Sequence, residues 1–209
     1  MSENLDRFNR IAPYYRSLSR LIFGKALINA QLHFLNRISD GDHVLILGGG
    51  SGDWIEEIQR KKSNIEITYV EASSKMISLA KKNVYDHSSI EFIHGTQADI
   101  PMNKRYDVLI IFFFLDMFDL SSLAELVELL KRKSKRNCTW LVADFVSERM
   151  WHTFLLRLMY GFFKIVASLE TSTLPDWRKQ LLRNGLQCEF KAFYYGGFIC
   201  STAYRFIAK

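Results

Sequence analysis

The sequence predicts an α/β fold, a doubly wound and mostly parallel sheet closed by an antiparallel C-terminal hairpin. Three observations carry this. From residue 43 onward, short apolar runs without strict alternation take turns with amphipathic segments, the pattern of parallel strands covered on both faces. One of those runs enters a glycine-rich turn, Gly48-Gly49-Gly50-Ser51-Gly52, that opens a helical segment. Near the end, two aromatic-rich runs flank Gly196-Gly197, which signals a tight hairpin.

Taken in order, residues 4–38 are helical in pattern. Phe8, Ile11 and Tyr15 fall on one face, and after a break at Gly24 so do Ile28, Leu32 and Leu35. Candidate strands are 43–47, 65–71, 90–94, 106–113 and 139–146, each rich in Val, Ile or Phe. Helical spacing marks 53–61, 74–84 and 120–133, and Ser122 followed by Glu125 has the form of a capping box. The basic run Lys131, Arg132, Lys133, Lys135 and Arg136 is read as the last turn of that helix, where cations complement the dipole, with a nucleic-acid track as the alternative. Residues 176–184 read as a helix stopped by Gly185, and 188–195 and 198–208 as the hairpin strands.

Composition narrows the function classes. With 48% hydrophobic residues and a net charge of only +6, the 209-residue chain is not disordered. Three widely spaced cysteines, Cys138, Cys188 and Cys200, do not make a disulfide scaffold, and the charged first twenty residues lack a signal-peptide core. The expectation is a cytoplasmic protein of one domain, without repeats or linkers. No Cys-x-x-Cys or His-x-x-x-His spacing suggests a metal.

The site-forming motif is the run from Val44 into the glycines. Residues without a Cβ let the backbone approach a ligand, and the free amides of a helix beginning near Ser51 favour a carboxylate or phosphate. The next strand ends in Glu71, 19 residues beyond Gly52, close to the spacing at which a nucleotide-binding sheet sets an acid against ribose hydroxyls. Both motifs converge at the C-terminal strand edge. One residue rather than two separates the last glycine pair, which departs from the dinucleotide fingerprint of an NAD oxidoreductase.

In order and spacing, this turn, Glu71 with Ala72-Ser73-Ser74-Lys75-Met76, Ile90–Gly95 with Asp99-Ile100-Pro101, and Tyr106–Ile110 resemble the class I S-adenosylmethionine-dependent methyltransferases over about residues 40–145. Phe8–Tyr15 resembles, more loosely, the opening of the ubiquinone/menaquinone C-methyltransferase branch. The resemblance implies a Rossmann-like core and S-adenosyl-L-methionine as cofactor. It would set Gly48, Gly49, Gly50 and Gly52 along the methionine part, Glu71 on the ribose, Ala72 and Met76 beside the adenine, Thr96 and Gln97 at the adenine edge, and Phe112 behind the cofactor, with Tyr14 as a further contact. Ile46 stands where the family usually has an acid, and Thr96 where Asp is frequent; the amide oxygen of Gln97 could accept the adenine amino group.

The resulting organisation is a helical N-terminal cap (1–38), a cofactor-binding core (40–146), an acceptor lid (147–175) and a terminal helix with hairpin (176–209). The lid reading rests on 150–166, apolar nearly all round with only Arg157 and Lys164 charged; a helix buried against the core and an interfacial membrane helix are its alternatives. Asp116 and His152 are the catalytic candidates, with His94, Asp144 and Tyr14 behind them. The expected activity is methyl transfer to a small apolar or aromatic acceptor, with peripheral membrane contact allowed and nucleic acid disfavoured. Alternatives are an RNA methyltransferase that uses the basic run, and a non-catalytic nucleotide-binding protein that keeps the fold.

Overall fold

The computed structural model of the chain describes residues 19–167 and 174–207, and in 162–167 the backbone alone. Among these residues one sheet of seven strands runs β3-β2-β1-β4-β5-β7-β6. Its members are β1 (His43–Leu47), β2 (Glu66–Glu71), β3 (Ile90–His94), β4 (Tyr106–Phe112), β5 (Ser134–Phe145), β6 (Leu186–Tyr194) and β7 (Ile199–Phe206). β1 to β5 pair in parallel and β7 is antiparallel to both β5 and β6, as the sequence predicts. After β3 the chain crosses back to lay β4 on the other side of β1. Their C-terminal ends therefore diverge and leave the crevice in which such sheets bind ligands.

Period-two alternation divides each central strand between two layers. Val44, Ile46, Val108, Ile110 and Phe112 join the cluster under α1 (Ala26–Leu32), α2 (Ile55–Lys61) and α3 (Ser74–Lys82). Leu45, Leu47, Leu109 and Ile111 face α4 (Leu120–Lys133) and α6 (Trp177–Arg183), whose Leu123, Leu126, Val127, Leu130, Trp177 and Leu181 are buried there. Two-sided burial is why these strands read as continuous apolar runs. Helix α5 (Met150–Ala167) adds Leu156 to the first cluster.

Four expectations need correction. Asp119, not Ser122, caps α4: its Oδ1 accepts from the Ser121 and Ser122 amides at 2.9 Å each, and a carboxylate one residue before the helix outcompetes a hydroxyl already inside it. The basic run is divided, because Lys131–Lys133 close α4 while Ser134 begins β5, five residues before the predicted start. Ser134 is fixed there by donating to the Leu130 carbonyl and accepting from Trp140 Nε1. α2 begins at Ile55 rather than near Ser51. The hairpin connection is Tyr195–Phe198, longer than a two-residue turn, because Phe198 is drawn fully into the core against Phe23 and Phe145. The Phe8–Tyr15 pattern, with Tyr14, lies outside the described residues, as does 168–173 of the lid.

Candidate active site

Everything singled out in the glycine turn sits at the C-terminal edge of β1. Gly48, Gly50 and Gly52 all take φ between 63° and 66°, which residues bearing a side chain seldom adopt. The turn is fastened from below by β2. Tyr69 donates its hydroxyl to the Gly50 carbonyl at 2.7 Å, and its ring fills the space a Cβ on Gly49 would need. Above Gly50 the opposite holds: nothing lies within 4 Å of a Cβ built there, so the backbone is open toward a ligand.

Glu71, at the end of β2, accepts from the Gly50 amide on Oε2 at 2.9 Å and from the Ser73 amide on Oε1 at 2.8 Å. The 19-residue spacing thus becomes direct contact between acid and turn. Two N–H bonds leave acceptor capacity on the carboxylate for vicinal hydroxyls. Burial pushes the Glu71 carboxyl above its ordinary range, opposed by the amides of Ser73, Gly50 and Ala72 and by His94. His94 itself is tied by Nε2 to the Ala72 carbonyl at 2.9 Å.

Ser73 then caps α3 by accepting from the Met76 amide, which places half-buried Ala72 and buried Met76 beside the turn. Thr96 and Gln97 follow β3. The Thr96 hydroxyl accepts from the Ala98 amide and the Asp99 carboxylate accepts from the Thr96 amide, so Thr96 serves as a turn cap; Gln97 is half-buried. Phe112 ends β4 with its ring against Trp54, centroids 5.0 Å apart.

Beyond Phe112 the chain turns abruptly. Phe113 has φ +52°, a conformation that costs a bulky residue about 1–2 kcal/mol. The next ring, Phe114, lies where a Cβ on Gly48 would stand. The turn is held by Asp144 of β5, whose Oδ2 accepts from the amides of Phe114, Leu115 and Asp116 at 3.2, 2.8 and 3.3 Å. Its Oδ1 accepts from the Phe145 amide at 2.7 Å, and the residue is 0% exposed.

Asp116 stands beside this buried carboxylate. Burial raises its carboxyl to about 7, and burial together with Asp116 raises that of Asp144. Tyr160 of α5 reaches over both, donating to the Asp116 carbonyl at 3.4 Å, with its own hydroxyl pushed upward by burial and by the two acids. An acid poised near neutrality, with a phenol bonded to its carbonyl, can hold or accept one proton; in the same loop and strand the Phe113 and Phe145 rings pack on each other, centroids 5.2 Å apart.

His152 lies elsewhere. It is 1% exposed between Trp151 and Phe198, its Nδ1 accepts from the Glu148 amide at 3.1 Å, and its Nε2 is buried beside the Gly196-Gly197 turn. Burial lowers its pKa. Among the described residues no group of three His, Cys, Asp or Glu is arranged to hold a metal, and no helix is long and apolar enough to cross a membrane.

The glycine turn, Glu71 and Asp116, all candidates in the sequence, stand at one edge of the sheet, and Tyr69, Phe114, Tyr160 and Asp144 join them there. The signal for Asp144 in the sequence is a lone acid inside the otherwise uncharged run 138–146.

Residues 44–150 match the model of a family described as "Methyltransferase domain". The Demethylmenaquinone methyltransferase of Thermotoga maritima is 28% identical over 214 residues, which covers 90% of each chain. Among solved structures, a chain of the complex between the Haloferax volcanii Trm112 methyltransferase activator and a methyltransferase superposes with TM-score 0.73 at 15% identity, covering 97% of this chain and 99% of that one. The N-methyltransferase NodS of Bradyrhizobium japonicum, in complex with S-adenosyl-L-homocysteine, does so with TM-score 0.63 at 11% identity over 86% and 83%.

Proposed function

The chain belongs to the methyltransferase-domain family, class I and S-adenosylmethionine-dependent, and on that premise we propose that it moves the methyl group of S-adenosylmethionine to a small apolar or aromatic acceptor by in-line displacement. The observation that carries the donor half is Glu71 bonded to the Gly50 amide beneath an open stretch of backbone. In this reading Gly48, Gly49, Gly50 and Gly52 bound the methionine part and Glu71 takes the ribose. Ala72, Met76, Thr96 and Gln97 surround the adenine, with Phe112 and Trp54 closing the layer behind.

When bound, the cofactor supplies a methyl group already activated on a sulfonium. The protein's work is then to orient the two reactants and exclude water. Asp116 supports the acceptor half, because a carboxyl near neutrality can take the proton that an acceptor hydroxyl sheds as it is methylated. Chemistry is assigned to Asp116 rather than to His152, which is sealed among aromatic rings. α5 acts as the lid, since Tyr160 on its inner side faces Asp116. The name of the Thermotoga relative, with demethylmenaquinone as acceptor, supports an apolar acceptor.

The basic run argues for a small molecule over RNA. Lys135 pairs with Asp107 at 2.7 Å near the start of β4, at the end of the sheet away from the glycine turn, so a polyanion tracked there would not meet the site. A peripheral bilayer contact through exposed Met150, Phe154 and Leu158 of α5, in the cytoplasm, belongs to the same reading. The test is incubation with methyl-labelled S-adenosylmethionine and a panel of apolar hydroxy-aromatic compounds. Label should enter the organic phase, and should be lost with Asp116→Asn; label transferred to RNA instead would favour the alternative.

A further inference from the structure

We propose that Asp144 is the positioning residue of this site: its carboxylate straps the loop Phe113–Asp116 and thereby sets the Gly48 side and the Asp116 side together. The proposal rests on the methyltransferase reading only for what those two sides hold; the strap itself is a matter of hydrogen bonds.

Four backbone amides converge on Asp144, three of them consecutive along the loop and the fourth its own neighbour Phe145. No strand pairing accounts for the three loop amides, because β4 ends at Phe112 and the Phe113 amide makes the last bond of the ladder, to the Ala143 carbonyl at 2.7 Å. Without Asp144 those amides would be buried or part-buried donors that lose their acceptor, and the left-handed Phe113 would keep only its own bond to Ala143 and its ring contact with Phe145.

What hangs on the loop gives the strap its consequence. Phe114 projects onto Gly48 of the glycine turn, and two residues on, the Asp116 carbonyl accepts from Tyr160 of α5, whose hydroxyl feels the Asp116 charge. A relaxation at one residue therefore shifts the cofactor wall and the acceptor acid in concert. The titratable groups facing Asp144 are Asp116 from the loop and Tyr160 from α5. With all four donors aimed at Asp144, that carboxylate is committed to holding the loop, and Asp116 is left as the member of the acid pair that can take up an acceptor's proton.

Asp144→Asn in the full chain tests this, because the amide keeps one acceptor oxygen and presents an NH2 where the second stood. Hydrogen exchange at the amides of 114–116 should quicken about tenfold while those of 108–110 stay unchanged, the loss of roughly one net hydrogen bond. Affinity for S-adenosylhomocysteine, by calorimetry, should fall by a similar factor. The Asp116 carboxyl, followed by carbon NMR, should titrate lower than in the wild type, because the two neighbouring acids repel each other and the variant removes one of them. A merely structural role would leave that midpoint in place. Asp144→Ser, smaller and still an acceptor, gives the same three readings if the Asn variant does not fold. Unchanged local exchange, uniform acceleration across the sheet, or a variant that binds S-adenosylhomocysteine as the wild type does would each overturn the proposal. A wild type that binds none would remove the methyltransferase reading alone, and exchange and titration would still decide for or against the strap.

Discussion

Gly48→Ala should damage this protein more than Gly50→Ala, although both glycines lie in one turn at nearly the same φ, +66° and +63°. The common part is the left-handed backbone, which costs an L-residue about 1–2 kcal/mol. At Gly50 little is added, since nothing lies within 4 Å of the new Cβ. At Gly48 the Cβ would meet the Phe114 ring, with Cε2 and Cγ both at 3.0 Å and Cδ2 nearer still. That ring cannot swing away freely, because its backbone is strapped to Asp144 and it packs edge-to-face with Phe118, centroids 5.1 Å apart. Overpacking of this kind adds about 1–3 kcal/mol, for a total of roughly 2–5 kcal/mol at Gly48 against 1–2 at Gly50. Urea denaturation followed by tryptophan fluorescence measures both, and Phe114→Leu in the Gly48→Ala background should recover part of the difference. Equal losses at the two glycines, or no recovery, would refute the packing argument.

Glu71→Gln should weaken S-adenosylhomocysteine binding by about 10- to 100-fold in calorimetry, the range for hydrogen bonds to a charged group, while the fold survives. Asp116→Asn should flatten the pH dependence of stability. Its folded pKa of about 7 is raised above an unfolded value near 4, so the wild type holds its full contribution below pH ~4 and loses it as pH rises toward 7, which melting curves across that range would show. Asp119→Ala should lower the melting temperature through loss of the α4 cap. The Asp119 carboxyl is held down to about 2 by the Ser122 amide and the Ser121 and Ser122 hydroxyls, so that stabilisation should fade only as pH falls below the ordinary carboxylate range. Phe154→Asp, on a side chain 64% exposed, should leave stability within about 0.5 kcal/mol yet reduce flotation with anionic vesicles if α5 meets a bilayer.

How far the sequence could be read depended on the range of the interactions. β1, β3 and α4 matched their predicted limits because buried parallel strands and an amphipathic helix leave a periodic trace in consecutive residues. Glu71 was legible for a similar reason, since a strand, a helix and a turn of ordinary length fix its distance from the glycines. The start of β5 was not. Lys135 and Arg136 look like a helix end, and what extends them is pairing with Tyr106 and the Lys135 link to Asp107, both remote in sequence. Asp144 escaped for the opposite reason: its partners are backbone amides, and amides carry no residue identity. The surroundings of His152 were not legible, because a histidine's chemistry is visible in a sequence while the aromatic rings packed on it, brought in by α5 and the C-terminal hairpin, are not.

The most direct test of the central claim is calorimetric titration of the full chain with S-adenosylhomocysteine, with Glu71→Ala alongside. Saturable binding by the wild type, lost or strongly weakened in the variant, is the predicted result. No heat at millimolar ligand would contradict the donor site and leave a fold without its cofactor, and equal binding by Glu71→Ala would contradict the place given to Glu71 at the ribose.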